Sequence, residues 1–136
     1  LSAPCPVMVA TAQSCLPAFF PVRFFEERLA RFEWVSEVVR SWCAKLYQVY
    51  GMEGFICWDV VAAAAVVRPE LFEKRLCEVS LHDRYLTNGM LVPSERDDPV
   101  TEVVVLGIRD PGIFVEVCLD AWELALDRAA SSAPIA

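Results

Sequence analysis

The chain has 136 residues, 56% of them hydrophobic and 23% charged, and a formal net charge of -7. That length holds one domain of ordinary size, and that hydrophobic fraction excludes a disordered chain. The acidic balance and the lack of any Lys/Arg cluster argue against a surface that tracks phosphates, so no nucleic acid is expected as a partner.

The start at Leu1, without an initiator Met, points to a piece of something longer. The first 22 residues carry no charge, yet Pro4, Pro6, Pro17 and Pro21 interrupt them. Such spacing makes neither a spanning helix nor a signal-peptide core, so no targeting segment and no membrane partner are expected. Pro6 to Ala12 reads as a short strand buried on both faces, and Ser14 to Pro21 as a loop. From Val22 the period changes: Phe25, Leu29, Phe32, Val35, Val39, Trp42, Leu46 and Val49 recur every three or four residues. This predicts one long amphipathic helix, opened by Pro21 with Glu26 and Glu27 in its early turns and closed by Gly51 after Tyr50.

Phe55 to Val67 (FICWDVVAAAAVV) places one carboxylate, Asp59, at the head of a wholly apolar, alanine-rich segment. A buried helix starting at Asp59 accounts for it. Pro69 opens a short second helix that runs through Phe72. Cys77, Val79 and Leu81 alternate with polar residues as in a half-buried strand, and Asn88-Gly89 predicts a hairpin turn. Pro93 to Pro99 is a polar loop, and Glu102 to Ile108 is a β-branched run suited to a second buried strand. Asp110-Pro111-Gly112 breaks the chain. A terminal helix then follows on Phe114, Val117, Cys118, Ala121, Trp122 and Ala125 and ends near Arg128, leaving residues 129–136 as a disordered tail. The element order is α/β, with too few parallel strands for a sheet covered on both faces, so the sheet reads as incomplete.

The six cysteines, Cys5, Cys15, Cys43, Cys57, Cys77 and Cys118, form no C-x-x-C pair, and most lie in apolar runs. They read as reduced, buried thiols of a cytoplasmic protein. Asp59 has two readings, a helix cap worth about 0.5 to 2 kcal/mol or a ligand projecting from a strand-to-helix junction, where open α/β sheets place their sites. Trp58 beside it is either a core or rim aromatic or a platform on which a planar base stacks. His82-Asp83 reads as a strand end or turn, since neighbouring side chains of a strand face opposite ways. Asp97-Asp98 offers too few oxygens for a hard cation and reads as solvated loop. No nucleophile elbow, phosphate-cradling glycine loop or H-E-x-x-H is present.

Across Cys57 to Phe72 (CWDVVAAAAVVRPELF) the chain resembles the nucleoside hydrolases, the inosine-uridine-preferring N-ribohydrolase family. The order of elements around the motif agrees over nearly all of residues 4 to 127. The resemblance implies that residues 1–128 are the C-terminal segment of an open, mostly parallel, Rossmann-like sheet. It implies further that Asp59 is a ligand of a catalytic Ca²⁺, and that Trp58 binds the base as in the purine-preferring branch. The family's reaction is attack of a Ca²⁺-bound water at the anomeric carbon of a ribonucleoside, with cleavage of the N-glycosidic bond. Its remaining calcium ligands and general base belong to an N-terminal aspartate cluster, so no catalytic residue is expected in this segment. The partners implied are a purine nucleoside and the N-terminal half of the fold or a partner chain, with homo-oligomer formation left open. The alternative is a non-catalytic association domain, or a decayed remnant, on the same scaffold.

Overall fold

A computed structural model describes residues 7–80, 91–93 and 100–132. In chain order these form β1 (Met8–Val9), α1 (Ala12–Cys15), β2 (Phe19–Pro21), α2 (Val22–Arg28), α3 (Glu33–Tyr50), β3 (Gly54–Ile56), α4 (Trp58–Val67), a 3-10 turn (Pro69–Leu71), β4 (Phe72–Ser80), β5 (Val100–Ile108) and α5 (Pro111–Ser132). The expected α/β class holds. The sheets, however, are small and mixed: β1-β5-β4 and β2-β3. Of the described strand pairs only β1 with β5 is parallel, Met8 opposite Val104, whereas β4 and β5 pair antiparallel from Phe72–Ile108 to Ser80–Val100. The mostly parallel sheet expected from the resemblance is therefore not what these strands form.

The segment expected as loop between Ser14 and Pro21 carries structure. Thr11 caps α1, its hydroxyl oxygen accepting from the Ser14 amide at 3.1 Å. Phe19 to Pro21 then pair with Gly54 to Ile56, and the Val22 N–H to Glu53 O and Cys57 N–H to Ala18 O bonds extend the ladder on both sides. The chain between the two strands is thus a closed excursion holding α2 and α3. The single long helix expected from Val22 breaks into these two at Leu29 to Phe32. At the break the Phe32 N–H donates to the Leu29 carbonyl, and the buried Ser36 hydroxyl donates to the same oxygen at 3.3 Å. Carbonyls released where a helix ends need such donors. The far end follows expectation: Gly51 takes the left-handed conformation at φ 67° and its N–H closes on Tyr47 O, a position that suits glycine.

Pro69 opens a 3-10 turn in place of a second α-helix, and Phe72 already belongs to β4. The expected break at Asp110-Pro111 is a helix start. Asp110 Oδ1 accepts from the Ile113 amide at 3.0 Å and Pro111 occupies the first turn, the usual chemistry of a capped N-terminus. The helix continues to Ser132, beyond the expected end near Arg128. The Asn88-Gly89 turn, Leu81, His82-Asp83, Asp97-Asp98 and residues 133–136 lie outside the described residues. Among the described residues, Ser80 N–H donates to Val92 O and Val79 bridges Pro93 antiparallel.

The core is organised around Phe20. Its ring lies 5.0 Å from Trp122, 6.0 Å from Phe55, 6.2 Å from Phe25 and 6.4 Å from Phe114. Phe114 also meets Phe72 edge-on at 5.8 Å, which ties the two-stranded sheet to the three-stranded one. Ring pairs at these separations add to the burial of their area. Outside the core, Arg28 of α2 bonds Glu116, Asp120 and Glu123 of α5, and Arg31 bonds Glu123 and Asp127. Among the described residues no helix is long and apolar enough to cross a membrane.

Candidate functional site at the start of α4

β3 delivers the chain to α4 with its last residues held by β2, and Cys57, at φ -101° and ψ 83°, is the cap position. Trp58 is the first helical residue and Asp59 the second, so the helix starts one residue before the expected start at Asp59. The helix is anchored behind them by Val61, Ala64 and Ala65, which are buried. Trp58 is 47% exposed and Asp59 is exposed.

The capping reading of Asp59 does not hold. No side chain caps α4, and among the described residues the Asp59 carboxylate makes neither a hydrogen bond nor an ion pair. The contrast is with Asp110, whose carboxylate bonds the first turn of α5. What remains to Asp59 structurally is the positive end of the α4 dipole, worth about 0.3 to 1 kcal/mol at an exposed position. Its oxygens are free to accept from a ligand.

Cys57 precedes this pair, and Cys118 of α5 is its neighbour. Burial pushes the Cys57 thiol up, the nearby Val60 amide opposes the shift, and the Asp59 charge adds to it. Cys118 of α5 is pushed up to about 11, by burial first and by its neighbour Cys57 second. Thiols held protonated at neutral pH are poor nucleophiles, and Cys57 is half-buried. Cys15 and Cys43 are raised by burial in the same way. All five described cysteines are free, with Cys15, Cys43 and Cys118 buried and Cys57 and Cys77 half-buried.

Sequence reasoning missed a concave feature, a hollow of about 330 Å³ between α1 and the three-stranded sheet, lined by Thr11, Ser14, Glu73, Arg75 and Cys77. Glu73, Arg75 and Cys77 alternate on one face of β4, and the Glu73 side chain lies over Gly107, its register partner on β5. The alternation was legible, but the glycine that makes room across the sheet could not be paired with it without the register. Neither Trp58 nor Asp59 lines this hollow.

Calcium is not accommodated by these residues alone. Among the described residues no three His, Cys, Asp or Glu side chains are grouped so as to hold a metal ion, and Ca²⁺ takes roughly six to eight oxygens. No protein-family model, curated protein or solved structure matches the chain.

Proposed function

We propose that this chain is the C-terminal segment of a purine-preferring nucleoside hydrolase, in which Trp58 binds the base and Asp59 gives one ligand to Ca²⁺. The observation that carries the reading is the uncommitted, solvent-facing Asp59 carboxylate beside an indole at a strand-to-helix junction. An indole face in that place offers stacking worth about 1 to 3 kcal/mol per base, which favours a purine over the smaller pyrimidine ring. A carboxylate at a helix N-terminus without a structural partner is available to a cation. The other calcium donors and the general base would come from outside the described residues, and no catalytic step is assigned to this chain by itself.

The test uses the native polypeptide at whatever length its source produces it. Inosine hydrolysis is expected in the presence of Ca²⁺. Asp59→Asn is expected to raise the calcium concentration needed for half-maximal activity by about tenfold or more, the scale on which even outer-shell changes act. Its unfolding midpoint should fall by no more than the lost dipole interaction, about 0.3 to 1 kcal/mol. Trp58→Ala should raise KM for inosine more than for uridine. Full activity in Asp59→Asn at limiting Ca²⁺ would remove the ligand assignment, and no inosine hydrolysis by the wild-type polypeptide would remove the reading.

A second reading, a non-catalytic association domain, is favoured by the outer face of α4, where Val66 and Val67 are 75% and 72% exposed. It predicts binding to a partner surface that calcium does not affect.

A further inference from the structure

We infer that α3 is the contact surface of an antiparallel homodimer, in which the same helix of a second copy of this chain covers its outer stripe. The inference is independent of the nucleoside reading.

The apolar residues of α3 outnumber those the core can bury. Val35, Val39 and Leu46 are half-buried and Cys43 is buried. Trp34, Val38, Trp42 and Val49 stand outside them, with Trp34 66% and Trp42 53% exposed. Steps of four, four and seven residues put these four on one stripe of an α-helix. At its N-terminal end the stripe opens into an apolar groove of about 350 Å³, where Trp34 and Val38 face Leu29, Trp122 and Leu126. Lys45 falls on the same stripe between Trp42 and Val49, and the apolar surface on its N-terminal side is of the kind that marks an interaction site.

Charge identifies the occupant. The exposed charges of α3 are, in chain order, Glu33, Glu37, Arg40 and Lys45, the acidic pair preceding the basic one. Arg40 faces Glu26 of the same chain at 3.7 Å, whereas among the described residues Glu37 and Lys45 make no ion pair. The two stand symmetrically about Ser41. An antiparallel copy related by a two-fold axis near Ser41 and Trp42 therefore brings Glu37 of each copy against Lys45 of the other, twice over. The same axis sets Trp34 opposite Val49, puts the two Trp42 side chains at the centre and delivers the exposed Tyr50 to the groove mouth. A parallel copy would instead juxtapose Glu37 with Glu37 and Lys45 with Lys45. Self-complementarity under a two-fold axis is what an isologous interface requires, and central Trp side chains are typical anchors of one.

Zero-length carbodiimide crosslinking of the 136-residue chain, read by peptide mass spectrometry, is the decisive experiment. On one straight helix Glu37 and Lys45 are about 12 Å apart, close to the reach of the two side chains, so the crosslinked dimer is isolated by mass before digestion and the amide is read from that species. The expected result is a Glu37–Lys45 crosslink and a solution mass twice the 15.2 kDa of one chain. Glu37→Lys alone should weaken the dimer by about tenfold, and adding Lys45→Glu should restore it. Trp42→Glu, at an exposed position, should leave a folded monomer by circular dichroism. A wild-type monomer at tens of micromolar would overturn the inference, as would crosslinks only at other sites or a dimer indifferent to Glu37→Lys. None of these outcomes depends on calcium or nucleoside.

Discussion

Cys118 shows how a single side chain couples packing to pH. Its thiol sits at 6% exposure between α5 and the start of α4, and burial raises it from the ordinary 9.0 to about 11. In the unfolded chain the thiol loses its proton near 9.0, while in the folded chain it keeps it to about 11. Below both values the folded state has its full stability. Between them the unfolded state binds fewer protons, so stability falls as pH rises. Cys15, Cys43 and Cys57 act in the same direction. The urea midpoint should therefore drop between about pH 8 and about pH 10.5, with Cys118 accounting for up to about 2 kcal/mol. Cys118→Val, close in volume, should flatten that decline. An equally steep decline in the variant would mean that other groups carry it.

At the scale of elements, Gly54 is the point on which the β2–β3 pairing turns. A Cβ there would lie 2.3 Å from Phe20 O and 2.7 Å from the Phe19 ring, closer than atoms can approach. Phe20 is the centre of the aromatic core, so the strand cannot yield without moving it. Gly54→Ala should cost about 1 to 3 kcal/mol, the range of overpacked cores, measured as a shift in the denaturation midpoint at constant m-value. By comparison Gly51→Ala meets no atom within 4 Å and should lose only the left-handed cap preference, about 1 kcal/mol.

The same elements separate what was legible from what was not. The terminal helix, the strand ending at Ile108 and the Gly51 cap followed from period and punctuation, which are local. The break at Leu29 to Phe32 did not, because spacings of four, three and three from Phe25 to Val35 are the same for a continuous helix and for two joined by one tight turn. No Gly or Pro marks it, and the Ser36 hydroxyl that completes it is a tertiary contact. β2 and β3 are three residues each and exist by pairing across the whole α2–α3 excursion, which no local window contains. At the candidate site the motif located Trp58 and Asp59. Only the structure separated the capping role, by showing Cys57 at the cap and the Asp59 carboxylate without a bond.

At the scale of the whole molecule, Arg28 of α2 and Arg31 just beyond it hold α5, and the outer face of α4 is left open. This helix buries Val61, Ala64 and Ala65 and turns Ala62, Ala63, Val66 and Val67 to solvent. A segment this apolar gains little from a helix with one wet face, since burying a Val side chain stabilises by about 1.5 to 3 kcal/mol. If the proposed nucleoside hydrolase fold is completed by further chain, that chain covers this face. The double substitution Val66→Ser with Val67→Ser reports on it. In the 136-residue chain it should move the unfolding midpoint by no more than about 0.5 kcal/mol, as at other exposed positions, while reducing apolar-dye binding. In the native polypeptide the same change should cost about 2 kcal/mol or more, because side chains that were covered are then lost from a packed interface. Equal, small effects in both would mean that α4 faces water in the native molecule, which leaves the motif at its head without the rest of the fold that the proposal requires.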